Sequence, residues 1–200
     1  MKTLTAPTPG SNSAALRPPD FCGRPRRINL EQTVAVKGYG KLKIRPIRLE
    51  DEQEMIRFHK AISEESIYMR YFEYLGLDRR TSHERLVRIC TNTPESYAIV
   101  VEKPPTHHQT AAILGVGRLT KAAQPEFATF DTLLVDGANA GQLGKILLKR
   151  MAKLANTFGF KGLEGELLVA DHDGLNLCRS LDFSLQTLPG DGVVLVTRSL

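Results

Sequence analysis

Cysteine is scarce in this 200-residue chain, and its placement excludes two classes of protein. Cys22, Cys90 and Cys178 are odd in number and far apart, with no CxxC pair and no Cys/His cluster. Neither a disulfide framework nor a zinc site is suggested. No metal is expected, and a reducing cytoplasm is the expected compartment. No apolar run approaches the ~20 residues that span a bilayer, so no membrane partner is expected. The opening MKTLTAPTPGSNSAAL has no apolar core segment of the signal-peptide kind. No Ser/His/Asp or Cys/His set for covalent catalysis is apparent, and no internal repeat.

What is present is near the average for a globular domain: 42% hydrophobic and 24% charged residues. The length suits one domain with a real core. The net charge is +5, and residues 1–40 hold six lysines and arginines against Asp20 and Glu31, so most of the excess sits at the start. Residues 1–30, rich in Pro, Ser, Thr and Gly, are expected to form a disordered basic leader. Its GRPRR run reads as a solvated tail, and no interleaved aromatics support a nucleic-acid contact. The folded domain is then residues 31–200.

TVAVKGYGKLKIRPI alternates, breaks at Gly38 and Gly40, and alternates again, which predicts a hairpin. Three helices follow: one from about Asp51 to His59, one in SEESIYMRYFEYL with Ser63 as N-cap, and one in SHERLVRIC capped by Ser82. The period then changes. SYAIVVE and AAILGVGRLT read as antiparallel strands joined by the polar KPPTHHQT, and EFATFDTLLVD as a longer strand. A helix to about Phe158 carries Leu143, Ile146, Leu147, Met151, Leu154 and Phe158 at helical spacing. KGLEGELLVA is a strand, DGLNLCRSLDF a short helix and GVVLVTRSL a final strand. The fold class is α+β, in three layers: a mixed sheet with helices on both faces.

LLVDGANAGQLGKILLKRM is the stretch with chemical promise. A strand enters at Leu133–Val135, small residues follow, and a long helix begins near Gln142. The first N–H groups of a helix lack intrahelical partners and carry partial positive charge. Small residues let a phosphate approach them. The same residues also suit an ordinary strand-to-helix turn.

This order of elements resembles the GNAT acyltransferase superfamily. IRPIRLEDEQEMIRFHKAISEESIYMRYF (Ile44 to Phe72), HERLVRIC and ILGVGRLTK resemble one branch more closely, the acetyltransferase domain of bacterial Pat-type protein-lysine acetyltransferases. The resemblance covers residues 33–200. It implies acetyl-CoA as donor and a primary amine, protein lysine or small molecule, as acceptor. No metal is implied, and the chain would act as a monomer or homodimer.

The family's pyrophosphate signature falls on Asn139-Ala140-Gly141-Gln142-Leu143-Gly144, with Gln142 where a glycine is usual. The resemblance thus implies cofactor contacts from Ala140, Gly141, Gln142, Leu143, Gly144 and Lys145. Leu134 and Val135 would offer strand backbone to the pantetheine amides, and His172 stands where an asparagine is common. Cys178 replaces the tyrosine that often protonates the leaving thiolate, and it reads better as a core residue. Asp182 replaces a common glycine.

An ammonium must lose a proton before it attacks a thioester, and a carboxylate can take it. The related branch places a Glu in an EFA tripeptide. Glu126-Phe127-Ala128 has those residues but lies about three positions too far from the loop. Asp131 is the alternative base. It shares a strand face with Thr129 and Leu133, whereas Glu126 joins that face only if a bulge shifts it. Glu126 is favoured on the local match. Glu164 and Glu166 alternate on the next strand and are candidates to line the acceptor pocket. Arg45 and Arg48 read as strand-end ion pairs.

Overall fold

The computed structural model describes Phe21 and residues 30–200 other than 108, 139 and 191. Eight strands form one sheet in the order β1-β2-β3-β4-β5-β6-β8-β7. They are β1 (Gln32–Val36), β2 (Gly40–Pro46), β3 (Ser96–Lys103), β4 (Ala112–Lys121), β5 (Phe127–Leu134), β6 (Gly162–Leu168), β7 (Ser184–Thr187) and β8 (Val193–Ser199). Every neighbouring pair is antiparallel except β5 and β6. A parallel pair needs a crossover, and the 18-residue helix α5 (Ala140–Thr157) supplies it. The remaining helices are α1 (Glu52–Lys60), α2 (Glu64–Tyr71), α3 (Leu77–Arg80), α4 (His83–Cys90) and α6 (His172–Arg179). Among the described residues, no helix is long and apolar enough to cross a membrane.

The predicted α+β sheet with helices on both faces is what the chain forms. One core lies under α5 and α6, where Leu143, Leu147, Met151 and Leu154 are fully buried against Leu42, Ile99 and Leu119. Gly117 makes this contact possible, because a Cβ there would overlap the Met151 sulfur. A second core joins α1, α2 and α4 to the other face through Met55, Phe58, Ile67, Leu86 and Leu133.

Local signals explain most boundaries. Gly38 and Gly40 take positive φ in the β1–β2 turn. Ser63 accepts a hydrogen bond from the Ser66 N–H and caps α2. That helix stops at Tyr71, short of the predicted Leu75, because Phe72 turns left-handed at φ +58°. Ser82 occupies the N-cap of α4, but its hydroxyl donates to the Arg79 carbonyl instead of capping. Two elements escape the periodicity: the four-residue α3 and the exposed edge strand β7, both too short to show a repeat.

Most of the predicted leader lies outside the described residues, Cys22 and the GRPRR run included. Phe21 is described, and there the expectation of disorder fails. It is buried, with its ring against Tyr97, Phe158 and Phe160 and its N–H donating to the Pro94 carbonyl.

The second core holds a charge problem. His59 is 1% exposed and neither ring nitrogen has a partner. Burial, together with the positive charges of Arg80 and Arg85, pushes its pKa down to about 4. An unfolded histidine titrates near ~6.5, so the unfolded chain binds the proton first as pH falls. Stability from neutral His59 is therefore intact above pH ~6.5 and declines toward pH ~4, where about 3 kcal/mol has been lost. Urea midpoints measured from pH 7 to 4 should show this limb, and His59→Leu should flatten it.

Candidate active site

The β5–β6 ladder is short. It pairs Phe127, Ala128 and Thr129 with Gly162, Leu163 and Glu164, and then the strands part. Beyond Thr129 neither strand satisfies the facing edge of the other. Between them opens a cleft of about 880 Å³. Its cofactor-side wall includes Leu134, Val135, Asp136, Gly137, Ala138 and Gly144. The opposite wall comes from α2, through Ser66, Met69, Arg70, Tyr71 and Phe72, and from β6, through Glu164 and Glu166.

The helix start is built as the loop sequence suggested. Gly137 has φ +73°, which turns the chain out of β5. α5 begins at Ala140, two residues earlier than predicted, directly after the Asp136–Ala138 segment that lines the cleft. Its first-turn N–H groups have no intrahelical acceptor and open at that end. Gly144 lets α6 come close, since a Cβ there would press on Leu177.

Asp136 fastens this loop to the opposite wall. It accepts from the Ser63 N–H at 2.7 Å and the Ser66 hydroxyl at 2.8 Å, and its own N–H donates to the Ala61 carbonyl. Burial works to raise its pKa, but the hydrogen bonds from Ser66 and Ser63 prevail and hold the carboxyl below its usual value. Sequence reasoning missed this residue. The signal was an acid at the strand exit with two serines at an N-cap, residues that only the fold brings together.

The two candidate bases separate. Asp131 lines the cleft and is ion-paired with Arg70. Across the sheet its register partner is Arg118, which donates to the Ser96 hydroxyl and the Ile89 carbonyl. Glu126 lies outside the cleft, 53% exposed and ion-paired with Lys161. The preference for Glu126 is corrected for a geometric reason. The β4–β5 register runs unbroken from Gly115–Leu134 to Lys121–Ala128, so no bulge in β5 turns Glu126 onto the Asp131 face.

Other predicted contacts also divide. Leu134, Val135 and Gly144 line the cleft. Leu143 is fully buried in the core, so its side chain is not available to a ligand. Gly141, Gln142 and Lys145 line a separate 300 Å³ groove against Val36 and Lys37, which leaves the first-turn backbone as their route to a phosphate. His172 is exposed at the start of α6 and does not line the cleft, whereas its neighbours Asp171 and Asp173 do. Asn139 lies outside the described residues. Cys178 reaches the cleft floor but is 2% exposed, and burial with nearby Asp171 pushes its thiol up to about 12. So weak an acid is a poor proton donor to a thiolate. Asp182 is left-handed, at φ +60°, which accounts for the usual glycine at that place. Arg45 is buried in a bidentate pair with Asp51 and also bonds Glu102, and Arg48 pairs with Glu31, all structural.

No family model matches the sequence. Solved structures do match the fold. The GNAT domain of S. lividans PAT superposes with a TM-score of 0.73 at 20% identity, covering 87% of this chain and 99% of that one. The fold is the GNAT fold. Mycobacterium smegmatis RimJ, solved with CoA-disulfide, gives 0.66 at 12% identity over 84% of this chain and 86% of its own. The PaiA N-acetyltransferase of Thermoplasma acidophilum, solved with coenzyme A, gives 0.61 at 15% identity over 80% and 99%. In a GNAT-fold chain the splay between β5 and β6, ending on a helix N-terminus, is the feature with a chemical use.

Proposed function

We propose that this chain is an acyl-CoA-dependent N-acyltransferase that transfers acetyl from acetyl-CoA to a primary amine. The observation that carries this reading is the β5–β6 splay, which leads from unpaired strand edges directly to the start of α5. Unpaired strand N–H and C=O groups suit the amides of a pantetheine arm, and first-turn N–H groups suit a pyrophosphate. Two neighbours, RimJ and PaiA, were solved with CoA-type ligands, which supports a CoA-type donor here.

In this reading Asp131 takes the proton from the acceptor ammonium. The freed amine attacks the thioester carbonyl, the C–N bond forms and the C–S bond breaks. A strand N–H steadies the oxygen as it gains charge. The products are the acetamide, CoA thiol and one proton. No side chain at the position of Cys178 is needed as acid, since a CoA thiolate can take its proton from water.

Calorimetry with acetyl-CoA and CoA tests the reading, and no binding at millimolar ligand would overturn it. Glu126→Gln should leave kcat and KM within about 2-fold of the parent protein, because an exposed ion pair contributes little. A large loss there would return the base to Glu126. A non-catalytic CoA-binding module is the second reading, favoured by Gln142 and the buried Cys178. It predicts binding without turnover.

A further inference from the structure

The acceptor side of the cleft carries an excess of acid. On the sheet face covered by α2, the lining carboxylates are Glu65, Asp131, Glu164 and Glu166, and Arg70 is the lining cation. Arg70 is held by Asp131, and its guanidinium also stacks 4.9 Å from the Tyr71 ring centre. Glu65, Glu164 and Glu166 form no ion pair among the described residues.

Strand register arranges these groups. Thr129 pairs with Glu164 in the β5–β6 ladder, so Thr129, Asp131, Glu164 and Glu166 face the same way. Same-face neighbours on a strand are ~7 Å apart. Asp131 therefore stands on one arm of the splay, Glu164 near its vertex and Glu166 on the other arm. The Arg70 and Asp131 side chains are 23% and 28% exposed. An ion pair that wet is worth about 0–1 kcal/mol, so another cation can take the arginine's place.

Resting on the acyltransferase reading above, we propose that the acceptor is a small aliphatic diamine or polyamine, that its reacting nitrogen displaces Arg70 from Asp131, and that Glu164 and Glu166 hold its distal ammonium. A lone lysine side chain has no second cation for the Glu164–Glu166 pair. An amino acid would bring its carboxylate against three spare carboxylates. The reacting ammonium gives one proton to Asp131, its nitrogen bonds the acetyl carbon, and the thioester sulfur leaves as CoA thiolate. The distal ammonium stays protonated and unacylated.

The test measures CoA release from acetyl-CoA with 1,4-diaminobutane, butylamine, 4-aminobutyrate and a lysine-containing peptide. The diamine should exceed butylamine in kcat/KM by about 10-fold at low salt, and the gap should narrow as salt screens the distal pair. Glu166→Gln should raise KM for the diamine and leave butylamine unchanged. Arg70→Gln should lower KM for both amines at unchanged kcat, because a competing cation has gone. Equal use of butylamine and diamine, preference for aminobutyrate or the peptide, or a raised KM in Arg70→Gln would overturn the proposal. If the peptide is the acceptor, the acyltransferase reading stands and the diamine assignment falls. If calorimetry shows no acetyl-CoA binding, both fall.

Discussion

Replacing Asp131 by Asn should lower kcat by about 10²–10⁴-fold, the usual worth of a positioned general base. Affinity for acetyl-CoA should stay within about 2-fold, since the change leaves the β5 and β6 backbone edges and the α5 start as they are. Asparagine keeps the shape but cannot accept a proton at neutral pH. Folding stability should fall by no more than about 1 kcal/mol, because the Arg70–Asp131 pair is partly exposed. Steady-state kinetics beside calorimetry separates the outcomes. A drop in kcat with intact binding supports Asp131 as base, and unchanged kcat would move the role to another cleft carboxylate, with Glu164 the next on the same face.

Phe21→Ala should cost about 3–5 kcal/mol of folding stability, the range for truncating a buried aromatic side chain. The ring sits 5.2 Å from Phe158 and 4.9 Å from Phe160, centre to centre, and 6.2 Å from Tyr97. It therefore plugs the junction between the C-terminal end of α5 and the start of β3. Removing it leaves a cavity bounded by three rigid rings, which cannot collapse to fill it. Urea denaturation of the full chain and of the variant checks this. A change below about 1 kcal/mol would mean that Phe21 is dispensable to the core. Phe21→Leu should recover part of the loss, because it restores apolar volume without the ring contacts.

Much of the architecture was legible because burial writes periods into sequence. The α5 face of Leu143, Leu147, Met151 and Leu154 repeats every three to four residues, and all four are fully buried. β4 alternates, and its burial alternates with it. The loop glycine at 137 announced a turn and has positive φ. The site was less legible for reasons of geometry. A tripeptide match is one-dimensional, whereas the usefulness of a carboxylate depends on strand parity, and parity placed Asp131 rather than Glu126 in the cleft. Side chains at a helix start can also face away from a ligand that the backbone would hold. Gln142 and Lys145 do so, toward Lys37 and Val36. Phe21 was lost in a polar, proline-rich stretch because one buried ring leaves no period to detect.

The tie from Asp136 to the α2 cap gives this protein a built-in gauge. The Ser63 amide donates to a carboxylate 73 positions away in sequence, on the loop that opens α5. Its exchange with heavy water is limited by how often that loop lets go. One backbone proton, on a helix that never touches the helix start itself, thus keeps time for the end of the cleft where a phosphate would rest.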